Sequence, residues 1–203
     1  MNIDELITMY RKEGYSVQDA KSTICHNIIL SKISRSNFRE HITIKGGVVM
    51  HRISKSLRRA TQDLDMDFIK YSLSDESIKC FIDKLNDVDD GFKIIIDGNI
   101  EELKQQNYKG MRLFIKIFDN YGNVIDNKID LGIHNEFNIK QEEYFFNIDY
   151  LSDSVSLLIN SKEQIFTEKL KSLLKLGFRS GRYKDLFDFY YLIKETNLDN
   201  KVF

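Results

Sequence analysis

The chain lacks proline and tryptophan altogether and has two cysteines and four histidines among 203 residues. Cys25 and Cys80 have no Cys-x-x-Cys spacing, which excludes a disulfide framework and predicts buried thiols in a reducing, cytoplasmic setting. His26, His41, His51 and His134 form no His-x-x-x-His or Cys/His pattern, so nothing points to zinc. No run approaches the 18 apolar residues of a membrane span. The opening MNIDELITMY lacks the basic and apolar regions of a secretory signal, so none is expected. With 30 basic and 31 acidic residues there is no charge excess of the kind that marks a general nucleic-acid binder. The missing proline and tryptophan accompany an Ile-, Lys-, Asn- and Asp-rich composition, read as a bias of the gene rather than a mark of function.

What is present suits a folded domain. The chain is 42% hydrophobic and 30% charged, and at this length it can bury about 70% of its unfolded surface. One domain is expected over 1–203, with a mixed-sheet core over about 1–160 and a helical part over about 161–203. Ile3, Leu6, Ile7 and Tyr10 recur at helical spacing, and Gly14 ends that helix. Ser16 caps a second helix to about Ile33. A short strand at Ile42–Ile44 leads into Lys45-Gly46-Gly47 and a helix over about Val48–Arg59. Further strands are expected at 63–69, Phe92–Ile96, Arg112–Phe118, Val124–Leu131 and Val155–Ile159. Helices are expected from Ser74 to about Asn86, at about Lys162–Leu176 (Phe166, Leu170, Leu173 and Leu174 inward) and at about Tyr183–Glu195. Helices, then a mixed sheet, then helices is an α+β order.

Three segments carry chemistry. Asp63-Leu64-Asp65-Met66-Asp67-Phe68 alternates strictly, with three carboxylates on one strand face and apolar residues on the other. A solvated edge strand would account for it, and so would a divalent-cation site. Residues i and i+2 on a strand lie about 6.7 Å apart, close enough for their carboxylates to bracket one or two hard cations. Gly46-Gly47 lies between a strand and a helix, either as a tight turn or as a backbone that approaches phosphate at a helix N-terminus. Asp130 sits on the strand at 124–131, with His134 at the same parity. Between Glu168 and Lys184 lie six basic residues (Lys169, Lys171, Lys175, Arg179, Arg182, Lys184) and one acidic one. They form either a solvated helix face or a positive wall for phosphates or RNA. Asp185 is either a helix-start residue or a general base.

Strand, Gly-Gly, helix and Asp-x-Asp strand is the layout of the polymerase-β-type nucleotidyltransferases. The blocks Lys45-Gly46-Gly47, Arg59–Asp67, Ile129–Gly132, Glu168-Lys169-Leu170 and Arg182–Asp188, in that order, resemble the AbiEii/AbiGii-type toxin nucleotidyltransferases, which include the MenT-type toxins. Fifteen residues separate Gly47 from Asp63. The resemblance implies a polymerase-β-type core with the C-terminal helices beside the site. It implies Mg²⁺ or Mn²⁺ on Asp63, Asp65 and Asp130, and nucleotide binding by Lys45, Gly46, Gly47 and Lys169. It makes Asp185 the essential acid of the last block and leaves Asp67 second to the metal pair. Val48 stands where many relatives carry Ser or Thr. The implied activity is that of the toxin of a toxin–antitoxin or abortive-infection (phage-defence) pair. It transfers NMP from an NTP to RNA, at the 3′ end of tRNA, and has a cognate antitoxin and no membrane partner. A protein-hydroxyl acceptor and a nucleotide-binding protein without turnover are the alternatives.

Overall fold

The computed structural model describes residues 1–103, 110–134, 141–176 and 183–195. The N-terminal helices are set by their caps. Asn2 and Glu5 form a reciprocal capping box at the start of α1 (Ile3–Lys12), and Gly14 follows with φ +98°. The Ser16 hydroxyl accepts from the Asp19 amide to open α2 (Val17–Ser34). This helix is buried nearly all round, polar residues such as Asn27 and Lys32 along with Ile24, Cys25, Ile28, Ile29, Leu30 and Ile33, because α1, α4 (Asp75–Asn86) and the sheet surround it.

The sheet contains β1 (Ile42–Ile44), β2 (Leu64–Phe68), β3 (Phe92–Ile96), β4 (Glu101–Glu102), β5 (Met111–Asp119), β6 (Val124–Ile133), β7 (Glu142–Phe146) and β8 (Val155–Ile159). The order is β3-β5-β6-β2-β1-β8-β7, with β4 also on β5. β2 runs parallel to β6, and β1 parallel to β8; the other pairs are antiparallel. The α+β expectation and the mixed sheet therefore hold. The carboxylate strand β2 is interior, which removes the solvated-edge reading. Its alternate residues Leu64, Met66 and Phe68 are in the core.

Several details differ from the sequence reading. α3 spans Gly46–Ser54 instead of Val48–Arg59, because Lys55 turns left-handed at φ +51° and a separate 3₁₀ turn follows at Leu57–Arg59. α3 thus begins at the two glycines, Gly46 entering it through a left-handed backbone at φ +54°. β6 continues past Asp130 to Ile133, held by its register with β2. β7, whose Glu-Glu-Tyr-Phe-Phe sequence does not alternate, forms by pairing with β8. Cys80 is exposed, unlike Cys25. On α5 (Lys162–Leu176), Gln164 and Ile165 are buried, while Leu170 and Leu174 are exposed. α6 (Tyr183–Glu195) completes the chain's described elements. At one sheet edge the Asn86 side chain stands in for a neighbouring strand. It donates to the Ile94 carbonyl and accepts from the Ile94 amide, both at 2.8 Å, which blunts the edge against further pairing. Among the described residues, no helix is long and apolar enough to cross a membrane.

Candidate active site

The parallel register of β2 and β6 sets Asp65 directly beside Asp130, and Asp63 lies two residues before Asp65. The β1–β2 ladder continues as the Lys45 amide donates to the Asp65 carbonyl at 2.9 Å, and α3 starts at that point. Gly46 has φ +54°, and a Cβ there would lie 2.8 Å from Asp65 Oδ2; at Gly47 a Cβ would lie 2.6 Å from Thr61 Oγ1. Only glycine lets the helix start come this close to the carboxylate strand. Together these residues line a cavity of about 690 Å³, closed on the other side by Glu168, Lys169 and Ser172 of α5 and Lys184 and Asp185 of α6. That volume lies within the usual range of a small-molecule site.

Each carboxylate has a distinct environment. The Asp65 carboxylate makes no hydrogen bond or ion pair with a described residue. Burial, then the negative charges of Asp130 and Asp63, push its carboxyl up to about 6, against the pull of Lys45 and Lys169. Asp63 pairs with Lys128 at 3.0 Å. Asp130 receives the Arg112 Nε and Nη2 hydrogens, both at 2.7 Å. Asp67 is buried and pairs with Lys45 at 2.8 Å, and Lys45 also lies 3.5 Å from Glu168. Burial raises the Glu168 carboxyl above its ordinary value, with Lys45 opposing.

The opposite wall is knit by Asp188, which is fully buried. It accepts from Arg59 Nε and Nη2 and from Lys169 Nζ, the last at 2.8 Å. Lys169 also reaches Asp185 at 2.8 Å, and Lys184 donates to the Ala60 carbonyl at 2.7 Å. A buried carboxylate paired to two cations holds both in place and leaves Asp185 and Lys169 facing the cavity.

Hard oxygen donors crowded until one of them resists ionisation are chemically suited to a divalent cation, which would relieve their repulsion. Among the described residues no group of three His, Cys, Asp or Glu side chains converges as a preformed cage; Asp63 and Asp130 are turned onto Lys128 and Arg112 instead.

Residues 28–203 match the model of a family described as "Nucleotidyl transferase AbiEii toxin, Type IV TA system". The chain belongs to the AbiEii nucleotidyltransferase toxin family. Among solved structures, it is similar to an antigenic nucleotidyltransferase-like protein from Paracoccidioides brasiliensis. The two are 16% identical, with a TM-score of 0.50, over 85% of this chain and 75% of that one. This likeness shows a nucleotidyltransferase fold and nothing finer. The antibiotic-resistance factor ANT(2'')-Ia aligns over 86% of this chain and 83% of its own, at 12% identity and a TM-score of 0.47. No curated protein matches the chain.

In this AbiEii-family chain the structure brings Lys45, Gly46, Gly47, Asp63, Asp65, Asp130, Lys169 and Asp185 to one cavity. His134 is buried, with Gln141 Nε2 2.9 Å from its Nε2, and does not line it. Of the basic run, Lys169 and Lys184 line the cavity and Lys171 and Lys175 are exposed; Arg179 and Arg182 lie outside the described residues. Sequence reasoning assigned no role to Arg59, Thr61, Arg112, Lys128 or Asp188. Lys128 shares the strand parity of Asp130, and Asp188 follows Asp185 by one helical turn, so both carried a signal. Arg112 carried none, because only the β5–β6 register places it opposite Asp130.

Proposed function

We propose that this AbiEii-family nucleotidyltransferase transfers NMP from an NTP to the 3′ end of a tRNA in the cytoplasm, dependent on Mg²⁺ or Mn²⁺ and counteracted by a cognate antitoxin. The observation that carries this reading is one cavity with Asp63, Asp65, Asp130 and the start of α3 on one wall and Lys169 on the other. The sheet and the C-terminal helices act as one catalytic unit, since neither wall suffices alone.

The amides at the α3 N-terminus, which lines the cavity, and the ammonium of Lys169 bind the phosphates, favoured by the helix dipole and by charge. Asp63, Asp65 and Asp130 would hold the cation. When bound, it neutralises phosphate charge and lowers the pKa of the acceptor hydroxyl. Asp185, oriented by Lys169, takes the acceptor proton. The acceptor oxygen then bonds to the α-phosphorus as pyrophosphate leaves, and Asp188 keeps Lys169 and Arg59 in place throughout. Exposed Lys171, Lys175 and Lys184 and Tyr183, which is 81% exposed, suit an RNA backbone and an unstacked base.

A protein-hydroxyl acceptor is favoured by one observation: Leu174, Leu186, Tyr190 and Ile193 also stand exposed on α5 and α6. The test is incubation with total tRNA, a protein lysate, Mg²⁺ and each α-labelled NTP in turn, followed by separation of RNA from protein. Label on RNA supports the proposal, label on protein alone selects the second acceptor, and metal-independent binding without transfer points to a non-catalytic nucleotide-binding protein.

A further inference from the structure

Arg112 is not part of the cavity wall. It stands on β5, directly opposite Asp130 in the β5–β6 register, and reaches the carboxylate from outside the cavity. Its guanidinium fork donates to both Asp130 oxygens at 2.7 Å. Both partners are fixed on neighbouring strands, so the pairing is built into the sheet. Asp130 is 11% exposed and Arg112 29%, so solvent screens the pair only in part. Two residues before Asp130 on the same strand, Lys128 takes Asp63. Of the three carboxylates, only Asp65 is left without a partner among the described residues.

Resting on the reading above that these carboxylates hold a divalent cation, we propose that Arg112 is a positioning residue that withholds Asp130 from the cation. A cation drawing on Asp130 must compete with two charge-assisted hydrogen bonds in near-ideal fork geometry. The nucleotide-free protein therefore binds cation weakly, through Asp65 and Asp63, and the full donor set is available only when the fork releases. Asp67, which lies beside the same wall, is held by Lys45 and offers no substitute.

The experiment is equilibrium Mn²⁺ binding to the nucleotide-free full chain, read from the electron-spin-resonance signal of free Mn²⁺. Wild type, Arg112→Gln, Arg112→Lys and Asp65→Ala are compared. Arg112→Gln is expected to bind roughly ten-fold more tightly, about the effect of one competing charge-assisted interaction lost. Arg112→Lys, which keeps the charge and loses the fork, is expected to bind several-fold more tightly than wild type. Asp65→Ala is expected to lose the site. Unchanged or weaker binding in Arg112→Gln, with Asp65→Ala still abolishing it, overturns the proposal and makes Arg112 an orienting partner that helps Asp130 bind. Tightening in Arg112→Gln but not in Arg112→Lys also overturns it, because charge alone would then suffice. If wild type and Asp65→Ala bind alike, the cation reading fails and the proposal falls with it.

Discussion

Two buried ion-pair networks in this molecule use the same chemistry to different ends. Lys32, inside α2, is fully buried; its ammonium meets Asp90 at 2.7 Å and the Val88 carbonyl at 2.8 Å, while Arg35 supports Asp90 from the surface. Every charge there is consumed inside the network, which ties α2 to the segment before β3. Asp188 is just as buried and also binds two cations, Arg59 and Lys169. One of those cations, however, passes on to Asp185 in the cavity. A closed network fastens elements together, whereas an open one delivers held charges to a surface that a ligand can reach. Burial and pairing alone do not separate the two; the path of the last charge does.

The largest expected effect is on the carboxylate wall, opposite the one that Asp188 knits. Asp65→Ala should reduce transfer by about a thousand-fold or more, as losses of key electrostatic groups do. Its circular dichroism should be that of the wild type; retained activity would remove Asp65 from the cation site. Next in size is Asp188→Ala. Leaving Arg59 and Lys169 buried without their carboxylate should cost about 3–5 kcal/mol, read as a lower urea midpoint, with a loss of transfer beyond what unfolding explains. Lys32→Met is its counterpart. It should cost about 1–3 kcal/mol, because Arg35 still meets Asp90, and per folded molecule its transfer rate should match wild type. Equal losses of rate in both variants would erase the distinction between the networks.

The fourth prediction concerns pH. The Asp65 carboxyl is raised in the fold from 3.8 to about 6. Its neutral form is therefore favoured by folding, and that contribution is present below about pH 4 and lost as pH rises through about 6. Asp65→Asn, which cannot ionise, should exceed metal-free wild type by about 1–3 kcal/mol at pH 7 and converge with it near pH 4. Urea midpoints across that window decide the matter; a difference that does not change with pH would contradict the assigned environment. The smallest effect belongs to the sheet edge. Asn86→Ala frees the Ile94 amide and carbonyl to water and should lower stability by about 1 kcal/mol. Sedimentation should reveal more self-association, with transfer unchanged.

The line between what the residues announced and what they concealed runs through β2. Its alternation and the caps Ser16 and Ser74 are local signals, and each element formed where its signal lay. Where neighbours outvoted local pattern, the reading slipped. α3 starts two residues earlier, at Gly46, because the strand-to-helix junction is tight against Asp65 and Thr61. Leu170 and Leu174 face outward although their spacing suits a buried stripe, because α5 turns Ile165 and Gln164 inward. β7 has no alternation of its own and exists through β8.

In the candidate site, residue identity and local spacing supplied the available groups: a period-two run of carboxylates, a pair of glycines between a strand and a helix, and a lysine and an aspartate on the last two helices. These follow from residue identity and from spacing within one element, which a strand or a helix converts into geometry without help. Which cation each carboxylate meets was set by contacts between elements distant in the chain. Arg112 finds Asp130 across a strand pairing, Lys128 reaches Asp63, and Arg59 finds Asp188 from 129 residues away. Such pairings depend on sheet order and register, and those are set by burying the whole core rather than by any stretch of chain read alone.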